Sequence, residues 1–162
     1  MERATDRKKG CGAVKSLQEM WAPNTYSACF GCGPENRHGL KIKSFWNGNE
    51  GVCRWKAKPH HRGLTGLLNG GIIAALIDCH SFWTGLAALC QREGISFGKG
   101  EPMKMVTGTM TITYLAPIPV DAEIELRAHL AKIGKRSRVV ACSVRVKGKE
   151  HARGEVAMVL VP

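Results

Sequence analysis

Apolar and polar residues interleave with a period of two over most of the C-terminal half of the chain. That period places successive side chains on opposite faces of a strand. In VTGTMTITYLAPIP, Thr107, Thr109, Thr111 and Thr113 alternate with Val106, Met110, Ile112 and Tyr114. The alternation continues from Ala122 to Ile133 through Ile124, Leu126, Ala128 and Leu130, breaks at Gly134, and resumes from Ser137 to Val146. Lys147-Gly148-Lys149 reads as a turn, and Val156–Val161 as a closing strand. Earlier, Leu40–Phe45 alternates Leu40 and Ile42 with Lys41 and Lys43, and Val52–Ala57 follows the turn residues Asn47, Gly48 and Asn49, which predicts a hairpin.

Between these strands the pattern changes. From Gly71 to Cys90 the chain is apolar almost all round and too long for a strand, which predicts a helix buried on most of its circumference. Asn69 is a good N-cap for it. The expected order is a hairpin, one long helix, then a four-stranded antiparallel meander. The fold class is therefore α+β, with an antiparallel sheet of about six strands wrapped around one long buried helix. Residues 1–28 read as an irregular lead-in and 29–162 as a single domain.

Composition adds bounds. The chain has 162 residues, 44% of them hydrophobic and 23% charged, an ordinary globular balance that excludes a disordered chain. Seven cysteines without a regular framework favour free thiols and a cytoplasmic, reducing setting. No apolar stretch follows MERATDRKKG, so no secretory signal is expected. The stretch from Gly63 to Gln91 is apolar enough to suggest a membrane span, but Asn69, Asp78 and His80 within it argue against one. Of the net charge of +11, +8 falls between Arg127 and Arg153, where nine Lys and Arg face a single Glu150. Such an excess suits an anionic partner. With ten aromatic residues in all and several in the expected core, a base-stacking surface for nucleic acid is poorly supported.

The chemistry concentrates on the helix. Asp78 is an acid on an otherwise apolar element, so it needs a partner, with His80 the nearest candidate, or a task such as general base. Asn69-Gly70-Gly71 opens the helix, where free N–H groups and the helix dipole stabilise an anion or a developing oxyanion. Asp78 lies seven residues beyond Gly71, about 10 Å along the axis, so one copy can hardly place both groups on one atom, whereas two antiparallel copies could. Cys29-Phe30-Gly31-Cys32 has zinc-knuckle spacing, but no second Cys or His pair follows at a fitting distance, and no metal is expected.

The run GLTGLLNGGIIAALID (63–78) resembles the active-site segment of hotdog-fold acyl-CoA thioesterases of the PaaI-like family, which usually reads G-x-x-HGG-x-x-x-x-x-x-D. TGTMTITYLAPIP, AKIGKRSRVVACSVRV and ARGEVAMVLV are similar to the strands that follow, and CFGCGPENRHGLKI to a lead-in of some members. The resemblance implies a hotdog fold and hydrolysis of acyl-CoA to acid and CoA, with no cofactor beyond the CoA of the substrate. It implies Asp78 as base or nucleophile, the Gly71 N–H as oxyanion donor with Gly70 permitting approach, and Thr107 beside the acid. It also implies a homodimer, or a dimer of dimers, in which the Gly and the Asp of one site come from different subunits.

Trp83 and Phe82 are then expected to line the acyl pocket, and Lys132, Lys135 and Arg136 to meet the CoA phosphates. There are two departures. Asn69 stands where the family usually has His, and Gly63 where some members place an Asn, with His60 and His61 close by as substitutes. The Asn69 change also leaves open an acyl-CoA-binding or regulatory protein without turnover.

Overall fold

A computed structural model describes residues 14–161. The expectations for the first thirteen residues lie outside that range. Elements run α1 (Leu17–Met20), β1 (Phe45–Trp46), β2 (Gly51–Lys56), a 3-10 turn (Pro59–His61), α2 (Gly70–Glu93), β3 (Met105–Tyr114), β4 (Glu123–Ile133), β5 (Ser137–Val146) and β6 (Lys149–Leu160). The six strands form one antiparallel sheet in the order β1-β2-β4-β5-β6-β3.

The expected four-stranded meander is corrected by this order. Only β4, β5 and β6 follow one another; β3 pairs with β6 and forms the far edge. Connection length explains the difference. Two or three residues join β4 to β5 and β5 to β6, so those strands must be neighbours. Eight residues, Leu115–Ala122, separate β3 from β4, enough for the chain to return across the sheet and lay β4 against β2. Alternation reports which face a residue occupies, not which strand lies beside it.

The Leu40–Phe45 strand is also corrected. Its burial does alternate, with Leu40, Ile42 and Ser44 inside and Lys41 and Lys43 outside. Its backbone, however, is paired to the lead-in rather than to the sheet. Leu40 N donates to Phe30 O (2.8 Å), Ile42 N to Gly31 O (3.1 Å), and Ser44 O accepts from Leu17 N (2.8 Å). Only Phe45 and Trp46 join β2.

α2 packs across the inner face of the sheet, where β5 buries every second residue from Arg138 to Val146. Asn69 caps the helix at its start, and Gly94 ends it in a left-handed conformation (φ +68°) that a side chain rarely adopts. By length and composition α2 could cross a membrane, but 67% of its most apolar window is buried inside this fold. It is a core helix. The lead-in joins the same core: Ser16 and Glu19 form a capping box on α1, and Leu17 and Trp21 pack into the apolar cluster.

Candidate active site

α2 and β3 bring the principal candidates together. Asp78 is half-buried, and Thr107, near the start of β3, donates from Oγ1 to Asp78 Oδ1 at 2.6 Å. This bond fixes one carboxyl oxygen, and among the described residues Oδ2 has no hydrogen-bond partner. Beside the pair lies a largely apolar cavity of about 250 Å³, lined by Asp78, Thr107, Phe82, Trp83, Tyr26 and Met105 among others. Trp83 is among the lining residues, and its side chain is almost wholly buried. Tyr26 went unnoticed in the sequence; its hydroxyl accepts from Met105 N (3.1 Å) and ties the lead-in to the start of β3.

His80 is not the partner of Asp78. Its Nε2 faces only a carbonyl, Gly51 O at 3.1 Å, so that nitrogen carries the proton. Nδ1 then accepts from Ser44 Oγ (2.8 Å), whose oxygen receives Gln18 Nε2 (3.2 Å). The ring is fully buried, and desolvation pushes its pKa down to about 4, partly offset by the Gly51 carbonyl. His80 is a neutral core residue that ties α1, the Leu40–Phe45 segment and β2 to the helix.

The helix start is exposed and differently arranged. Gly71 N–H donates to the Asn69 carboxamide Oδ1 (2.8 Å), so the expected oxyanion donor already has a partner within its own turn. Tyr114, at the end of β3, donates its hydroxyl to Gly70 O (2.9 Å) and covers that glycine. One strand thus contacts both places: its first residues hold Asp78 and its last holds the glycine turn.

The remaining candidates fall outside the cavity lining. His61 is buried, its ring stacks on Trp55 with centroids 5.3 Å apart, and Nδ1 accepts from Lys58 N (3.0 Å). Burial, then the positive charges of His60 and Lys58, hold its pKa below the ordinary imidazole value. Its carbonyl accepts from Asn69 N (3.0 Å), so it supports the glycine turn through the backbone. Lys132, Lys135 and Arg136 are exposed around the β4–β5 turn. Arg136 O accepts from Leu160 N, and Leu160 pairs with Met105 at the cavity, so the basic turn lies about two strand spacings, roughly 10 Å, from the cavity wall. A larger groove of about 530 Å³ runs over the outer face of the sheet. Its charges are largely paired with one another, as in Arg127–Glu50 at 2.6 Å and Arg153–Glu150 at 3.9 Å.

Residues 65–152 match the family model described as Thioesterase superfamily. The chain is 32% identical over 84 residues to acyl-coenzyme A thioesterase 13 of Mus musculus, covering 52% of each protein. It spans about half the length, or less, of the acyl-coenzyme A thioesterases it matches. Among solved structures, a thioesterase superfamily protein from Shewanella loihica PV-4 is 31% identical, with a TM-score of 0.60 over 77% of this chain and 95% of that one. A variant of the phenylacetic acid degradation protein PaaI from Thermus thermophilus shares the fold at 22% identity, with a TM-score of 0.59 over 75% and 95% of the two chains.

Proposed function

The chain belongs to the thioesterase superfamily and carries its hotdog fold, and from that premise we propose that it hydrolyses acyl-CoA thioesters to the free acid and CoA. The observation that carries this reading is the Thr107–Asp78 pair at 2.6 Å within the lining of an apolar cavity. The acyl chain enters the cavity past Phe82 and Trp83, and the thioester carbon comes to rest near Asp78. Asp78 takes a proton from water as the water oxygen attacks that carbon. The carbonyl electrons move onto oxygen, then return as the C–S bond breaks, and the CoA thiolate leaves and takes up a proton. Thr107 positions the carboxylate and does not exchange protons with substrate.

The developing oxyanion takes the Gly71 N–H, backed by the positive end of the α2 dipole. Gly71 and Asp78 of one chain are about 10 Å apart along the helix. The working site therefore pairs Asp78 of one copy with Gly71 of a second in a homodimer, itself able to double. Support for this arrangement comes from β3, which forms a sheet edge and exposes Val106 and Tyr114 by about half. The basic turn at Lys132, Lys135 and Arg136 supplies cations for the CoA phosphates. No cofactor is needed, because CoA arrives with the substrate. A reducing, cytoplasmic setting suits the six unpaired cysteines among the described residues.

One observation favours a second reading. Because Asn69 Oδ1 occupies the Gly71 N–H, a chain that never releases it would bind acyl-CoA without turning it over. The two readings separate on a panel of acyl-CoAs from acetyl to palmitoyl, with benzoyl and phenylacetyl esters, products being followed by chromatography. Release of free CoA from at least one ester supports hydrolysis. Saturable binding of the esters with no CoA released establishes the binding protein instead.

A further inference from the structure

The sequence shows a Cys-x-x-Cys pair with nothing to complete it. The fold supplies a third thiol from α2. The Sγ atoms of Cys29, Cys32 and Cys79 all lie within 4.8 Å of one another, with Cys29 and Cys79 at 3.9 Å. Zinc bound to thiolates at about 2.3 Å in a tetrahedron sets its sulfurs about 3.8 Å apart, so little movement brings the three into register. All three cysteines also line the cavity that holds Asp78.

The surroundings are those of a sulfur site rather than a chance contact. Trp83 Nε1–H donates to Cys32 Sγ at 3.2 Å, the kind of outer-shell bond that orients a metal ligand. Gly31 is glycine for a matching reason: a Cβ there would stand 2.3 Å from Cys79 Sγ, so only glycine lets the helix thiol enter the knuckle. The turn is closed by Gly33 N donating to Cys29 O (2.9 Å).

We propose that Cys29, Cys32 and Cys79 form a binding site for a thiophilic divalent metal ion of the zinc class, with three protein thiolates and a fourth position filled by water from the cavity. No fourth Cys, His or acid joins the cluster among the described residues. Binding replaces the thiol protons, which pass to solvent, by metal–sulfur bonds and involves no electron transfer. The ion staples the 29–33 knuckle to the turn of α2 that carries Asp78 and closes one wall of the cavity. The site is independent of whether the protein hydrolyses thioesters.

The test uses the full chain purified under reducing conditions, stripped with a chelator and titrated anaerobically with Co²⁺ and then Zn²⁺. The expected result is sulfur-to-cobalt charge-transfer bands with the intense visible bands of a tetrahedral site, saturating near one ion per chain and bleached by zinc. Cys29→Ser, Cys32→Ser and Cys79→Ser each abolish the charge-transfer spectrum, whereas Cys53→Ala and Cys90→Ala keep it. Trp83→Phe retains every ligand and weakens zinc binding by about 10–100-fold, the usual cost of losing an outer-shell partner, which covers the case where a serine variant does not fold. Absence of the bands in folded wild type overturns the proposal. So does a spectrum that survives Cys79→Ser, or a Cys29–Cys32 disulfide that forms in place of metal uptake.

Discussion

Two turns of α2 carry ionisable or donor groups, and the fold treats them in opposite ways. At the helix start, Asn69, Gly70 and Gly71 are exposed, yet the donor that matters is closed off by Asn69 itself at 2.8 Å. Two turns on, residues 78–80 stand against the core, and each has a separate fate. Among the described residues, Asp78 keeps one carboxyl oxygen for Thr107 and leaves the other free, Cys79 Sγ approaches those of Cys29 and Cys32, and His80 has both nitrogens satisfied. Exposure therefore does not separate the proposed base from the structural groups. What distinguishes Asp78 is a fixed carboxylate with unused valence beside an apolar cavity, whereas His80, two residues later, is structural because nothing of it is left over.

The largest expected effect breaks this contrast directly. Asp78→Ala lowers kcat by about 10²–10⁴-fold, the usual contribution of a general base, while the melting temperature stays near wild type. His80→Ala does the reverse: acyl-CoA turnover per folded molecule persists and denaturant unfolding shows a loss of several kcal/mol, as expected when a buried, bonded side chain is removed. If both variants lose activity at unchanged stability, the division of roles between the two residues is wrong.

The next effect sharpens the same division through pH. An unfolded chain protonates its histidine below about 6.5, but folded His80 resists until about 4, so protons favour the unfolded chain between those values. The neutral-imidazole contribution is intact above pH 6.5 and falls by up to about 3 kcal/mol on the way to pH 4. Urea unfolding at a series of pH values should show this slope in wild type and a flatter profile in His80→Gln.

Thr107→Val should cost about 10-fold in kcat with KM little changed, since the carboxylate loses a positioning donor and the pocket wall keeps its volume. A change confined to KM would instead make Thr107 a substrate contact. The smallest effect belongs to the helix start. Asn69→Ala removes the cap and destabilises the protein by about 1 kcal/mol, yet frees the Gly71 N–H, so kcat per folded molecule should hold or rise. A loss of kcat would show that the carboxamide itself takes part.

Much of this was legible from residues alone. The period-two stretches, the apolar run after Asn69 and the short turn at Gly134 locate β3, β4, β5 and α2 closely, because local periodicity and turn chemistry act over a few residues, whereas β6 begins at Lys149, seven residues before the expected Val156. What escaped depends on contacts far apart in the chain. β3 went to the sheet edge because of an eight-residue return, and Leu40–Ser44 lies off the sheet because its backbone pairs with residues 17, 30 and 31. The same applies to the chemistry. Asp78 stood out as an acid on an apolar helix, but Cys79 as a third thiol and Ser44 as the partner of His80 come from packing across 36 to 50 positions. A buried polar residue announces that it has a partner without saying which.

The central claim is that Asp78, held by Thr107, activates water against an acyl-CoA thioester. Its most direct test is CoA release by Asp78→Asn, measured beside wild type on the best substrate of the acyl-CoA panel and at matched folded concentration. Asparagine keeps the shape and can still accept from Thr107, but it cannot take the proton. The account predicts substrate binding close to wild type and a kcat at least about a hundredfold lower. Turnover within a fewfold of wild type would contradict it.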